Sequence, residues 1–377
     1  MKVFLTILAV FFALQSQKAQ AQVVQYTEPR IYYSAEPINR NAVQQNTEYY
    51  VREQVPQYRQ IRQDNLQEIK QRGVLRCGTN LSVKSYAYYS DDTWHGIDAD
   101  VCRAMALAIL GDAEKINMVN VTQNDVISAL DSKRIDVMMG GIQNAAKLEV
   151  ERKVLSAGLI YYDYQKILAG ENSEDLKDYS GQKVCVLKNS SYYENLENYV
   201  VSQGLQFNYL AQNSMPMVKD SFLLNRCNLI TGSGFYLHDL EKELNSRIKR
   251  KVKVLPIKLS MMPVYALVQK NNIELQIALK WVINALFLAE QYGINSKNLS
   301  FYSQHNNSEI RNLMGDNPEM WQSLKVEPKW LPQAIKIVGN YGDIYERNLG
   351  KYSEYKLKRH ESNLLKNGGV VYPLEFM

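Results

Sequence analysis

The chain has 377 residues, with 44 Lys+Arg, 39 Asp+Glu and four Cys; at about 150 residues per domain, two or three domains fit. A content of 46% hydrophobic and 22% charged residues excludes wholesale disorder, a collagen repeat and a small disulfide scaffold, and a mean hydropathy of −0.35 excludes a polytopic membrane protein. The net charge of +5 includes Lys2 and Lys18, which lie in a segment expected to be removed, and it is too small to argue for a nucleic-acid partner.

Residues 1–21 read as a secretory signal: Lys2, an apolar run over 3–14, then Ala19-Gln20-Ala21 as a cleavage site. The run falls short of the roughly 20 residues a bilayer span needs. The other reading is a buried N-terminal helix. Because no cysteine precedes Cys77, no lipid anchor is expected at that site, and the mature protein is expected to be exported and soluble. Residues 22–60 carry Tyr26, Tyr32, Tyr33, Tyr49, Tyr50 and Tyr58 among Gln and Asn, with Pro29, Pro37 and Pro56 and no lysine. Such a stretch cannot bury enough surface to offset its ordering entropy, so a disordered arm is expected. It serves either as a plain linker or as a sticky recognition segment.

From residue 61 the pattern becomes regular. Ile61, Leu66 and Ile69 mark a helix that stops at Gly73. Residues 74–78 read as a strand. Gly96-Ile97-Asp98 opens a helix with Val101, Met105, Ala108 and Ile109 on its apolar face, and Gly111 ends it. A strand over 115–121, a helix over 126–130 and a buried strand over 135–139 ending in Gly140-Gly141 follow. A second series repeats the alternation: strand 183–187, Asn189-Ser190-Ser191 and a helix to 201, strand 205–210, a helix to 224, strand 228–231, then strands 252–256 and 264–268. This order implies βα units and a mostly parallel sheet. Two such lobes with a strand crossing near Tyr161-Tyr162 describe a bilobal cleft protein, with ligand groups at the carboxyl ends of strands. Helices are expected over 275–292, 309–315 and 330–338, and after the turn Asn340-Tyr341-Gly342-Asp343. Gly368-Gly369 is read as the end of a final helix.

Familiar catalytic patterns are missing. His95, His238, His305 and His360 are far apart and form no metal spacing, and no phosphate-binding loop or nucleophile elbow occurs. The basic run over 247–253 reads as the solvated face of an edge strand rather than a nucleic-acid surface. The cysteines say more. Export places Cys77, Cys102, Cys185 and Cys227 in an oxidising compartment, where pairing is expected and three connectivities are open. A cross-lobe bond would lock the cleft, so Cys77–Cys102 and Cys185–Cys227 are favoured; buried free thiols are the alternative.

Several stretches carry a resemblance: Arg72-Gly73-Val74-Leu75-Arg76-Cys77-Gly78, Gly96-Ile97-Asp98-Ala99-Asp100-Val101-Cys102-Arg103-Ala104, Ile135-Asp136-Val137, Tyr161-Tyr162-Asp163, and Val338-Gly339-Asn340-Tyr341-Gly342-Asp343-Ile344-Tyr345-Glu346-Arg347-Asn348. With the terminal Asn367-Gly368-Gly369, they resemble periplasmic solute-binding proteins of family 3, most of all the general L-amino-acid-binding subfamily of ABC importers. The likeness covers about residues 62–375, and the four cysteines sit where that subfamily has them. It implies an α/β, type II periplasmic-binding-protein fold: lobe 1 over 61–160, lobe 2 over 161–263, then a return to lobe 1 with a helical C-terminal extension over 264–377. Hinges are implied near Tyr161 to Asp163 and residues 261–264.

The family grips an α-amino acid through fixed groups. Tyr86 or Tyr88 matches the aromatic that stacks on the ligand, Ser190 and Ser191 match a small-residue turn at a helix N-terminus, and Gly140 and Gly141 lie in the first-lobe turn. Two charges are absent. Leu148 stands where the family has the Arg that pairs with the ligand carboxylate, and Gly234 stands where it has the Asp for the ammonium. Lys147 or Arg152 could replace the Arg only with a shifted helix register. An unpaired buried carboxylate or ammonium costs several kcal/mol, so a neutral, apolar or larger ligand, or none, is implied in place of an ordinary free amino acid. The leading expectation is a monomeric periplasmic binding protein that delivers a small solute to an inner-membrane ABC permease, without cofactor, metal or nucleic acid. A non-transport binding protein with a degenerate cleft is the alternative. An enzyme would need a poised acid or base, and none was identified in the sequence.

Overall fold

The computed structural model describes residues 65–142, 145–248 and 251–375; the expected signal and Tyr-rich arm lie outside them. α1 (Asn65–Arg72) buries Leu66 and Ile69. Strands β1 (Leu75–Thr79), β4 (Ile116–Asn120) and β5 (Val137–Met138) pair in parallel with β1 in the middle. Between β1 and β4 run a short hairpin, β2 (Tyr88–Ser90) and β3 (Thr93–His95), and the helix α2 (Ile97–Leu110). α2 is buried on nearly every side, and Gly111 closes it in the left-handed conformation at φ 72. α3 (Val126–Asp131) and α4 (Ala145–Val150) flank β5.

The longest strand is β6 (Val154–Gly170), 17 residues that cross from the first lobe to the second. It runs antiparallel to β11 (Ser260–Gln269), with Tyr161 opposite Val264 and Asp163 opposite Met262. The register slips between Val264 and Tyr265 and again between Tyr265 and Leu267. On the far side, β6 pairs with β9 (Leu229–Ser233), which leads to β7 (Lys183–Leu187) and β8 (Asn208–Gln212), while β10 (Val252–Val254) adds an antiparallel partner. The strand order is β4-β1-β5-β11-β6-β9-β7-β8. One lobe is built on β4-β1-β5 and the other on β9-β7-β8, joined through β6 and β11; this is the bilobal α/β architecture expected, but the sheet is mixed and not mostly parallel, because β11 pairs antiparallel with β5 and β6, and β6 pairs antiparallel with β9 and β10.

β7 shows why its sequence makes a central strand. Val184 and Val186 face a core with Ile167, Leu196 and Leu229, while Cys185 faces a second core with Leu168, Val218, Phe222 and Ile230. Both faces are covered, so only apolar side chains fit. α5 (Ser191–Ser202), α6 (Met215–Leu223) and α7 (Gly234–Glu243) supply those covers. Cys77–Cys102 and Cys185–Cys227 are both bonded, one bridge in each lobe.

After β11 the chain turns helical: α8 (Ile273–Gln291), α9 (Leu299–Tyr302), α10 (Ser308–Leu313), α11 (Pro318–Ser323), α12 (Trp330–Ile337) and α13 (Tyr341–Asn348). The Asn340-Tyr341-Gly342-Asp343 turn opens α13 with a capping box: Asn340 Oδ1 accepts the Asp343 N–H, and Asp343 Oδ2 accepts the Asn340 N–H. Beyond α13 the chain is irregular, and it packs on the β6 crossing. Ser362 Oγ accepts the Tyr162 N–H at 2.9 Å. Arg359 makes a bidentate pair with Glu290 at 2.6 and 3.1 Å, with its guanidinium 5.1 Å from the Tyr341 ring centroid and 5.4 Å from that of Tyr345.

Three local readings differ from the structure. β8 begins at Asn208 rather than 205, because Leu205 and Phe207 pack onto the second-lobe core from the loop ahead of the strand. The β2–β3 hairpin is too short for periodicity to show; its turn places Asp91 and Asp92 at φ 49 and 59, the two-residue form that favours Asp. The helix expected to end at Gly368-Gly369 is a single turn over Leu365–Asn367, flanked by Leu364 and Val371, which form a lone bridge.

Candidate functional site between the lobes

The carboxyl ends of parallel strands from both lobes meet at the β6 crossing. From the first lobe come Thr79 at the end of β1, Tyr86 from the following loop, Asp98 from the first turn of α2, and the Gly140-Gly141 turn after β5. β6 contributes Tyr161 and Asp163, and the second lobe contributes Ser233 and Phe235 at the β9–α7 junction. Tyr86, Tyr161 and Phe235 are all buried. Their ring centroids lie 6.2 Å (Tyr86–Tyr161), 6.3 Å (Tyr86–Phe235) and 5.2 Å (Tyr161–Phe235) apart.

A polar chain ties the lobes together. The Ser233 hydroxyl donates to Asp163 Oδ2, so the Tyr86 hydroxyl, 3.2 Å away, donates to Ser233 Oγ. Asp163 also accepts the N–H groups of Tyr164 (2.7 Å), Gly234 and Phe235, so its carboxylate caps the N-terminus of α7. Burial pushes the Asp163 carboxyl up to about 7, against these donors. Asp98 is fully buried: Oδ2 takes the Thr79 hydroxyl at 2.6 Å, and Oδ1 has no hydrogen-bond partner. Burial raises its carboxyl to about 7 as well, opposed only by the Thr79 bond. The phenols of Tyr86 and Tyr161 are pushed well up, first by burial.

Gly140 is where the backbone comes closest. A Cβ there would stand 2.6 Å from the Tyr161 hydroxyl and 3.3 Å from both Asp98 carboxylate oxygens. Gly141, at φ 72, faces the Tyr86 ring; its Cβ would sit 3.1 Å from that ring's edge.

Not every residue singled out in the sequence reaches this group. Tyr86 does. Tyr88 lies on the β2–β3 hairpin, its ring 5.1 Å from His95 and capped by Lys84 Nζ at 4.9 Å. Ser190 is the N-cap of α5, donating to the Leu187 carbonyl at 2.6 Å and accepting the Tyr193 N–H. Ser191 is the first residue of that helix. The neighbour that α5 offers Tyr86 is Tyr192, whose backbone carbonyl is held by Gln165 Nε2 at 2.6 Å. Gly234 lies against Asp163 with no room for a side chain, since a Cβ would be 3.0 Å from Asp163 Oδ1; Ser233, one residue earlier, is the polar group that faces the first lobe.

Leu148 packs on the apolar cluster around Val121 and Ile142. Lys147 is exposed and pairs with Glu151 at 3.9 Å, and Arg152 is exposed. None of the three brings positive charge to the interlobe group. Asp98 and Asp163 lie within the quoted motifs, and Asp163 falls in an implied hinge, but nothing in the sequence singles out either as a site residue. Among the described residues no group of three or more His, Cys, Asp or Glu is placed to hold a metal ion.

The rim carries further interlobe contacts. Asp239 of α7 accepts the Ser85 N–H and hydroxyl at 3.0 and 3.2 Å. Glu354 of the C-terminal stretch pairs with Lys84 of the first lobe at 3.0 Å and with Lys242 of the second at 3.1 Å.

The family model of the bacterial extracellular solute-binding proteins, family 3, matches residues 75–298. The chain is 27% identical over 312 residues to the general L-amino acid-binding periplasmic protein AapJ of Rhizobium johnstonii, covering 81% of this chain and 91% of the relative. It is 25% identical over 315 residues to the glutamate/glutamine/aspartate/asparagine-binding protein BztA of Rhodobacter capsulatus, covering 82% and 93%. Among solved structures, an ABC transporter periplasmic binding protein from Brucella ovis with glutathione bound superposes with a TM-score of 0.76 at 27% identity, covering 83% of this chain and 99% of that one. With its paired lobes, its crossing strands and a family match over most of the folded body, the chain belongs to the bacterial extracellular solute-binding proteins, family 3.

Proposed function

We propose that this protein is the substrate-binding component of an ABC-type importer, exported to the periplasm through residues 1–21 and acting there as a monomer. It takes up a small solute between the lobes and presents the closed form to a permease in the inner membrane. The lobes run over about 61–160 and 161–263, and the chain returns to the first lobe after 264. The proposal assigns no catalytic step. The observation that carries this reading is the convergence of both lobes' strand ends on one buried group, with Tyr86 of the first lobe bonded to Ser233 of the second.

Relatives named for amino acids and one solved with glutathione support the reading that the solute is a small polar metabolite. A second reading has its own support: Tyr86, Tyr161 and Phe235 pack against one another where a ligand would lie, as expected of a scaffold that has given up transport. Mass spectrometry of small molecules carried through native purification, followed by thermal unfolding with the identified solute, decides between them. Occupancy at a hundred times Kd stabilises by about 2.7 kcal/mol. A protein that carries no small molecule, and whose melting temperature no metabolite panel moves, would refute the transport reading.

A further inference from the structure

We infer that the recess where the C-terminal stretch meets the second lobe is a binding site for a small, multiply charged phosphate, separate from the interlobe group. Three observations converge. The first is space. A recess of ≈ 640 Å³ is lined by Lys351, Lys356, Lys358, Arg359 and His360, with Glu346 as the acid in its wall. That acid is engaged, since Glu346 Oε2 accepts the Lys351 N–H at 2.8 Å. The wall also carries local strain: Lys356 and His360 stand at φ 52 and 46, a conformation that non-glycine residues rarely take.

The second observation is charge. Behind His360 lie two more lysines. β6 puts Tyr164 and Lys166 on one face. Lys258 Nζ sits 3.9 Å from the centroid of the Tyr164 ring, and His360 meets the same ring edge-on at 6.1 Å. Burial first, then Lys258, Lys166 and Lys358, hold the His360 imidazole below its ordinary value, so these basic groups share one junction. Lys166 is partly buried, and burial and Lys258 hold its ammonium low although Asp163 and Glu241 pull the other way. Its Nζ reaches the Leu255 carbonyl at 3.5 Å. The acids nearby are committed. Glu361 pairs with Lys258 at 3.4 Å, Glu241 contacts His238 at 3.1 Å and accepts the Val254 N–H at 3.1 Å, and Asp163 takes the Ser233 hydroxyl. The ion pairs of the C-terminal stretch are Lys84–Glu354, Lys242–Glu354, Lys258–Glu361 and Arg359–Glu290, which leaves Lys356 and Lys358 without one among the described residues.

The third is donor chemistry. The guanidinium in the recess is taken, because Arg359 pairs bidentately with Glu290. The fork that fits a carboxylate is therefore occupied, and the free donors are ammonium groups and an imidazole. Ammonium groups act as point charges, and several around one ligand suit an oxyanion with more than one negative charge. Like charges gathered this closely repel, and a bound phosphate offsets that repulsion.

The test uses the purified full-length protein with pyrophosphate, inorganic phosphate and chloride, compared by calorimetry and thermal shift at matched ionic strength. Pyrophosphate is expected to bind and raise the melting temperature, phosphate to do so more weakly, and chloride to do neither. Lys356→Gln combined with Lys358→Gln, both on exposed side chains, should weaken pyrophosphate about tenfold, corresponding to one lost charge-assisted hydrogen bond. Lys166→Met should weaken it similarly from the second-lobe side; if that variant folds poorly, the exposed pair decides. Lys70→Gln combined with Lys115→Gln removes the same charge from the first lobe and should leave binding unchanged. Equal weakening by the two double variants would reveal a net-charge effect and overturn the site, as would chloride matching the phosphates. Silence from the soluble phosphates while phosphatidylglycerol vesicles sediment the protein would overturn the small-ligand site in favour of a membrane face. Silence from both would overturn it outright. The outcome is independent of whether a transported solute is found in the cleft.

Discussion

Asp98→Asn is expected to stabilise the protein at neutral pH. Burial lifts the Asp98 carboxyl from an ordinary 3.8 to about 7. Between those two values the folded chain holds a proton that the unfolded chain has released. Unfolding stability therefore falls as pH rises through this window, because the folded state binds more protons there. Below about pH 4 both states are protonated and the residue costs nothing; above about pH 7 the whole penalty is present. Roughly three units at 1.36 kcal/mol each amount to about 4 kcal/mol. Asparagine keeps an oxygen for the Thr79 hydroxyl, which now meets Oδ2 at 2.6 Å, and carries no charge. Urea unfolding followed by tryptophan fluorescence at pH 4.5, 5.5, 6.5 and 7.5 reads the effect. The two proteins should nearly coincide at the acid end and separate in favour of the variant, by up to about 4 kcal/mol at the neutral end. Asp163, raised for the same reason, is common to both and cancels. A pH-independent difference, or a variant weaker at every pH, would refute the claim that Asp98 is a buried, uncompensated acid.

Three more predictions can be checked on the same preparations. The bridges close loops with sequence separations of 25 and 42; the chain-entropy relation assigns them about 3.5 and about 4 kcal/mol, so adding a reductant should lower the urea midpoint, and an unchanged midpoint would remove both from the account. Arg359→Ala strands Glu290, whose side chain is only 12% exposed, and should cost about 3–5 kcal/mol in thermal unfolding; a loss below about 1 kcal/mol would show that Glu290 finds water instead. Glu354→Gln removes the acid shared by Lys84 and Lys242; the stability change should stay within about 1 kcal/mol, since the pairs are exposed, but scattering at low salt should show a more open envelope than wild type, a difference that 0.5 M salt erases. Identical envelopes would deny the rim any part in closure.

The elements that sequence locates best have both faces or one clear stripe committed to a core. β7 is legible because Val184, Cys185 and Val186 each enter one of two cores, and α2 because glycines bracket its apolar run. β6 is the opposite case. Its 17 residues pass through two lobes, so burial changes character along it and no single period covers it. The disulfides are legible because lobe movement restricts the pairing. The site is less so. Tyr86 and Tyr88 are two residues apart and chemically alike; what separates them is a three-residue strand that carries Tyr88 onto His95. Asp163 gives no local signal of its role, because the helix it caps begins 71 residues later, at Gly234. Asp98 sits in a first helical turn, where an acid is ordinary; only the tertiary fold shows that it is sealed from water.

The two slips in register between β6 and β11 bear on how the lobes move. A two-stranded ribbon is stiff along its length and yields to twist, and bulges are where it yields first. Opening is then closer to wringing a strap than to swinging a door, with the compliance gathered around Val264 and Leu267. Ser362 grips the same strap at Tyr162, on the neighbouring strand. The stretch around Ser362 therefore acts as a brace on the flexing part, and a substitution there would alter the mechanics of capture without touching a ligand-facing side chain.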